Sequence, residues 1–329
     1  MKPRRGLIGA AAALLLGPVT VLVSIAPAGA AVRGATGPAG TAMGAAARPA
    51  AASPVSCTSS SHRTLAARLA ADIQAARRGR VSAVAVGVDD PHMGLTCWLN
   101  SSAHFDSASV VKATILGALL RKALDQRRYL TGTEATRARA MITRSDNNAA
   151  SALWAEVGRS ALQRFLNLAR MTQTSLGSGG RWGLTQITAH DEVLLQRLLL
   201  NANAVLDTPS RTYALGLMAQ VIASQRWGVP AGAPTSLTVH VKNGWLPRAT
   251  HGWRIHSIGC FTGRGGGYSI VVLTQDNRTM AYGIATIEAI ARKINHDLNP
   301  AAASVVPSSE PAPSWGTPDE NIAALPDIP

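Results

Sequence analysis

Between Val110 and Leu120 the chain carries a single charge, Lys112, in a run otherwise made of Val, Ala, Thr, Ile, Leu and Gly. A helix apolar on all sides is a buried one, so this stretch requires a core wrapped around it and constrains the fold more than any other segment. Asp106 or Ser107 is placed to cap the start of the helix, where backbone N–H groups lack partners. Ser109 then falls in the first turn, with Lys112 at i+3 on the same face. Burial disfavours an ammonium ion, so a desolvated lysine beside a hydroxyl is a base beside a nucleophile. Lysine usage supports this reading. Of 32 Lys and Arg residues only five are Lys, so a lysine kept inside an apolar helix points to a need for an amine that can lose its proton, which Arg cannot.

The segments around this helix alternate in period. LAARLAADIQAAR at residues 65–77 has helical spacing, residues 81–88 and 95–99 read as strands joined by a turn at 90–94, and helical patterns follow at 134–143, 148–157, 160–168, 189–200 and 210–224, with a loop at 175–181. Strand patterns return at 237–241, 253–261 and 268–275, the last two joined by a Gly-rich turn, and a helix closes the domain at 284–298. Two strands before a helical block and three after it predict an α+β fold: a five-stranded antiparallel sheet flanked by N- and C-terminal helices, plus an all-helical lobe over about 109–230. Hydrophobic residues are 47% of the chain but aromatics only 4%, so aliphatic side chains must fill the core.

The ends read differently. Residues 1–30, with Lys2, Arg4 and Arg5 ahead of an apolar run and a small-residue site at Ala28-Gly29-Ala30, read as an export signal, a retained membrane anchor being the alternative. Residues 31–60 read as an Ala/Gly/Pro linker, 61–299 as the folded domain, and 300–329, with seven Pro, four acids and no base, as a disordered tail. Export favours a bacterial protein that is secreted or held in the cell envelope, without stable membrane insertion once the signal is cut. It would permit a Cys57–Cys97 disulfide, with Cys260 left as a buried thiol. The formal net charge of +14 suits an anionic envelope; it comes from scattered Arg with no run of five basic residues, which argues against nucleic acid as a partner.

Two further motifs follow the helix. Ser145-Asp146-Asn147 lies between helices and Lys242-Asn243-Gly244 ends an apolar strand; taken singly they read as a helix cap and a strand end. Together with SVVK at 109–112, in this order and on these elements, they resemble the penicillin-recognising serine enzymes, class A β-lactamases and D-Ala-D-Ala peptidases. The resemblance covers about residues 62–298 and implies acyl transfer by a monomer that needs neither cofactor nor metal. Ser109 would attack a carbonyl carbon with Lys112 as base. Ser145, helped by Lys242, would pass a proton to the leaving nitrogen, and the N–H groups of Ser109 and Trp245 would form the oxyanion hole. Asn147 would bind the substrate amide, Lys242, Asn243 and Gly244 would face its carboxylate, and Arg226 or Arg248 would add charge there.

Two departures stand out. Asn243 replaces the family's usual Thr or Ser. Class A enzymes also carry, in a loop after the middle helices of the helical lobe, a Glu that activates water to clear the acyl-enzyme; residues 171–190 here hold no Asp or Glu. The expectation is an enzyme that acylates on Ser109 with a β-lactam or a cell-wall peptide but hydrolyses β-lactams slowly. A non-hydrolytic binding module of the same fold is the alternative. Other hydrolase classes lack their motifs: there is no HExxH, His251 and His256 are the closest histidine pair among the later strands, and no Gly-x-Ser-x-Gly is present.

Overall fold

The computed structural model describes residues 53–263 and 266–300. The segments read as export signal and as most of the linker, residues 1–52, together with residues 301–329 and Arg264-Gly265, lie outside the described residues. In chain order the elements are β1 (Ser56–Ser59), α1 (Arg63–Ala76), β2 (Ala83–Asp90), β3 (Leu95–Leu99), β4 (Phe105–Asp106), α2 (Val111–Asp125), α3 (Gly132–Thr143), α4 (Asn147–Val157) and α5 (Arg159–Leu168). Then come β5 (Gln186–Ile187), α6 (Ala189–Leu200), α7 (Thr208–Ala219), β6 (Thr238–Pro247), β7 (Trp253–Gly263), β8 (Gly266–Asn277) and α8 (Met280–Leu298).

The main sheet is antiparallel with order β1-β3-β2-β8-β7-β6. It has one strand more than the hydrophobic pattern predicts. β1 lies inside the segment read as linker, its burial alternating only weakly, and it is held against β3 where Cys57 stands opposite Cys97 and the two form a disulfide. Composition says linker there; a covalent staple to a buried strand overrides it. Cys260 is a buried free thiol.

Helices cover both faces of the sheet. Ile255 of β7 meets α8 at Gly283, whereas Cys260, an odd number of residues further along the same strand, donates from its thiol to Gln196 Oε1 on α6 at 3.2 Å. Alternation along a strand sends such positions to opposite sides. α1 packs beside α8. Helices α2, α3, α4, α5 and α7 form the second lobe, with α2 at its centre and every residue from Val111 to Leu120 buried. Helix starts follow local chemistry: Thr131 and Glu134 make a reciprocal capping box on α3, and Thr188, Asp207 and Thr279 accept from backbone N–H groups at the starts of α6, α7 and α8. Among the described residues no helix is long and apolar enough to cross a membrane.

The start of α2 differs from expectation. Ser109 lies in a short 3-10 turn, Ala108–Val110, that leads into the helix, and neither Asp106 nor Ser107 caps it. The Ser107 hydroxyl donates instead to carbonyls that include Trp182 and Gly183, while the Asp106 carboxylate is occupied by Arg254 Nε at 3.1 Å, Arg248 at 3.3 Å and Gln186 Nε2 at 2.6 Å. The first turn is thus tied to the loop across from it. Asp106 serves as an ionic anchor between that turn and the sheet.

Candidate active site

Four of the residues singled out above come together where α2 meets the edge of the sheet. Ser109, Lys112, Ser145 and Lys242 are all buried, the two lysines completely. Lys112 Nζ donates to the Ser145 carbonyl oxygen at 2.6 Å, to Asn147 Oδ1 at 2.6 Å and to Ser145 Oγ at 3.1 Å. Lys242 Nζ also donates to the same Ser145 Oγ at 3.0 Å, and to the Asn243 carbonyl at 2.8 Å. One hydroxyl therefore bridges two buried amines. Burial lowers the Lys242 ammonium to a pKa of about 7, so this amine exchanges a proton near neutrality.

The turn between α3 and α4 makes this possible. Asp146 is the N-cap of α4, its carboxylate accepting from the Ala149 N–H at 2.7 Å, so the cap reading of Ser145-Asp146-Asn147 is correct for its middle residue. Capping by Asp146 leaves its neighbours for the site. Ser145 sits at φ +58°, a left-handed conformation that is sparsely populated outside glycine. Ala108, just before Ser109, is likewise at φ +46°. Two such residues flanking one pocket are the kind of backbone strain that packing sustains at functional sites.

Strand β6 supplies the third side. It runs through Lys242-Asn243-Gly244 to Pro247 rather than ending there. At Gly244 the strand lies against the turn that carries Ser109: a Cβ added there would stand 2.8 Å from the Ser109 nitrogen and 2.9 Å from the Val110 nitrogen. Only glycine permits that approach. Trp245 packs on Trp227 with ring centroids 6.0 Å apart.

Two expected substrate contacts are not made. Lys242 and Gly244 share one side of β6, so Asn243 points to the other; its Nδ2 donates to the Gln225 and Trp227 carbonyls at 2.9 and 2.8 Å and is fully buried. It tethers the segment before β6 instead of facing a substrate carboxylate. Arg226 is also turned inward, donating to the Ala219 and Val239 carbonyls at 2.9 and 3.2 Å. Arg248 does face open space: with Asp106, Leu176, Ser178, Arg181 and Leu184 it lines a cavity of about 370 Å³. Asn147 spends its carbonyl oxygen on orienting Lys112.

One residue was not legible in the sequence. Trp182, in the short 3-10 turn Trp182–Leu184, lays its ring over Lys112 Nζ at 4.7 Å and donates its indole N–H to Ser151 Oγ at 3.1 Å. It comes from the loop at residues 171–190 that holds no Asp or Glu. The acids that follow, Asp191 and Glu192, lie in the first turn of α6. Asp191 accepts from the Gln173 N–H and the Thr174 hydroxyl, both at 2.8 Å, and Glu192 is wholly buried. His256 donates from Nε2 to the Asp106 carbonyl at 2.8 Å and His251 pairs with Asp276, so neither faces the other across a metal site. Among the described residues no group of three or more His, Cys, Asp or Glu is placed to hold a metal ion.

An antiparallel sheet capped by terminal helices, a helical lobe, and a Ser-x-x-Lys turn where they meet define the serine β-lactamase class of folds. The profile of the β-lactamase enzyme family matches residues 134–298, half of the chain, and the protein belongs to that family. Solved class A enzymes share the fold. A class A β-lactamase from Bacteroides cellulosilyticus superposes with a TM-score of 0.63 at 17% identity, covering 71% of this chain and 98% of its own. A β-lactamase from Xanthomonas campestris gives 0.59 at 19% identity, covering 70% and 97%, and one from Sphaerobacter thermophilus gives 0.59 at 21%, covering 70% and 96%. No curated protein sequence matches the chain.

Proposed function

We propose that the protein is an exported serine hydrolase that forms an acyl-enzyme on Ser109 with β-lactams or D-Ala-D-Ala-type peptides and releases it slowly. The observation that carries this reading is the convergence of two buried amines on Ser145 Oγ, one of them Lys112, three residues on from Ser109, whose own amide lies against the glycine of β6. When deprotonated, Lys112 gives up its bond to Ser145 Oγ, keeps two N–H groups for the carbonyl oxygens of Ser145 and Asn147, and has a lone pair to accept the Ser109 proton. As Ser109 Oγ bonds to the carbonyl carbon, the N–H groups of Ser109 and Trp245 take the charge that develops on oxygen. Ser145 passes a proton to the departing nitrogen, and Lys242, poised near neutrality, replaces it.

Slow release follows from what the loop lacks. General-base help contributes roughly 10²–10⁴-fold, and residues 171–190 offer no carboxylate to provide it. The disulfide fits an oxidising compartment outside the cytoplasm. The test is intact-mass spectrometry after exposure to benzylpenicillin: a persistent adduct in the wild type that is absent in Ser109→Ala supports the reading. Rapid turnover without a trapped adduct overturns slow release, and no reaction at all overturns the acyl-transfer assignment in favour of a binding module.

A further inference from the structure

We propose that Trp182 is a water shield: its ring fills the place from which a hydrolytic water would reach the acyl-enzyme, so the protein keeps its acyl group because of an aromatic side chain it has as well as a carboxylate it lacks. The inference rests on the acyl-enzyme reading above and goes further by naming the residue that sets its lifetime. The ring lies over the amine that would serve as base, 4.7 Å from Nζ, and is itself 5% exposed. It is fixed at several points. The indole N–H is held by Ser151, the Trp182 and Gly183 carbonyls accept from the Ser107 hydroxyl, and the Ser107 N–H donates to the Thr185 carbonyl at 2.8 Å. Behind it the loop folds tightly on itself, since a Cβ on Gly177 would stand 2.1 Å from the Arg181 carbonyl oxygen. The ring therefore cannot swing aside without unpicking the turn that also carries the nucleophile.

Removing the ring has a definite chemical consequence. A buried water occupies ~30 Å³ and needs two to four polar partners. The space an indole vacates holds more than one, bordered by Lys112 Nζ on one side and Ser151 Oγ on another. A water there can give a proton to neutral Lys112 as its oxygen bonds to the ester carbonyl carbon. The carbon–Oγ bond then breaks, the proton passes to Ser109 Oγ, and a carboxylic acid leaves. The substitution supplies the position for the water, and Lys112 the base.

The experiment compares the lifetime of the benzylpenicillin adduct in wild type, Trp182→Ala and Trp182→Phe, with the acylation rate measured alongside. Trp182→Ala is expected to shorten the lifetime at least 10-fold while acylation changes by less than that; Trp182→Phe, which keeps a ring over Lys112 without the N–H, retains the wild-type lifetime. A wild-type lifetime in Trp182→Ala overturns the proposal, as does equal shortening in both variants, because loosening of the loop rather than loss of the ring would then be responsible. If Trp182→Ala does not fold, Trp182→Leu carries the test, several-fold shortening supporting the shield and an unchanged lifetime refuting it. Failure of the wild type to form any adduct would instead strike the acyl-enzyme reading itself.

Discussion

Lys242 should cost the protein stability in proportion to its usefulness. In an unfolded chain its amine stays charged up to a pKa of 10.5, whereas burial in the fold brings that value down to about 7. A base with a lowered folded-state pKa is penalised wherever the unfolded chain holds the proton more tightly. The penalty is complete below about pH 7, shrinks as pH rises, and is gone above 10.5. At about 1.4 kcal/mol per pH unit, the gap between 10.5 and about 7 amounts to a ceiling of ~5 kcal/mol. Lys242→Met, similar in length and uncharged, removes it. The variant also loses the hydrogen bonds to Ser145 Oγ and the Asn243 carbonyl, each worth roughly 1 kcal/mol. Lys242→Met should therefore be more stable than wild type by roughly 2–3 kcal/mol at pH 6 and less stable by about 2 kcal/mol near pH 10.5. Urea denaturation of both proteins at half-unit intervals across that range measures the difference directly. Comparing the two cancels the other titrating groups. A difference that stays constant with pH would refute the reasoning, because it would mean that the folded protein keeps Lys242 charged throughout. The same variant should lose most of its acylation rate, an instance of function held at the expense of stability.

Gly244→Ala should abolish detectable acylation by benzylpenicillin while leaving a folded protein, because a methyl group 2.8 Å from the Ser109 nitrogen forces β6 and the nucleophile's turn apart; near-normal acylation would show that the two can part without loss. Glu192 has both carboxyl oxygens buried without a hydrogen-bond partner, and desolvation, then the nearby Asp191 charge, holds its pKa well above the usual carboxylate range. Its folded-state pKa is raised, so wild type should lose stability as pH climbs from about 4.5 through that raised value, and Glu192→Gln should flatten the loss. Parallel melting curves from pH 5 to 8 for the two proteins would count against a neutral Glu192.

Much of the architecture was legible in the residues because it rests on local periodicity. The apolar run after Ser109 had to be buried, helical spacing placed most helices to within a few residues, and α6 and β3 fell where the pattern put them. Errors arose where contacts distant in sequence decide. β1 looks like linker until Cys57 meets Cys97, although a paired cysteine was itself the available clue. Asp106 suits a helix cap, yet two arginines brought round by β6 and β7 claim its carboxylate. The motif puts Asn243 in the pocket beside Lys242, yet period-two alternation turns adjacent strand residues to opposite faces, and Asn243 is buried on the other side.

The order Ser-x-x-Lys, Ser-Asp-Asn, Lys-Asn-Gly on a buried helix, an interhelical turn and a strand was enough by itself to point to the family to which the chain belongs. Tertiary structure alone decided that both lysines meet on one hydroxyl and that a tryptophan, with no motif to mark it, lies over one of them. The reason is physical: periodicity and capping act over a few residues and are written in the local sequence, whereas the partner of a buried amine is whatever the closing of the core brings within 3 Å.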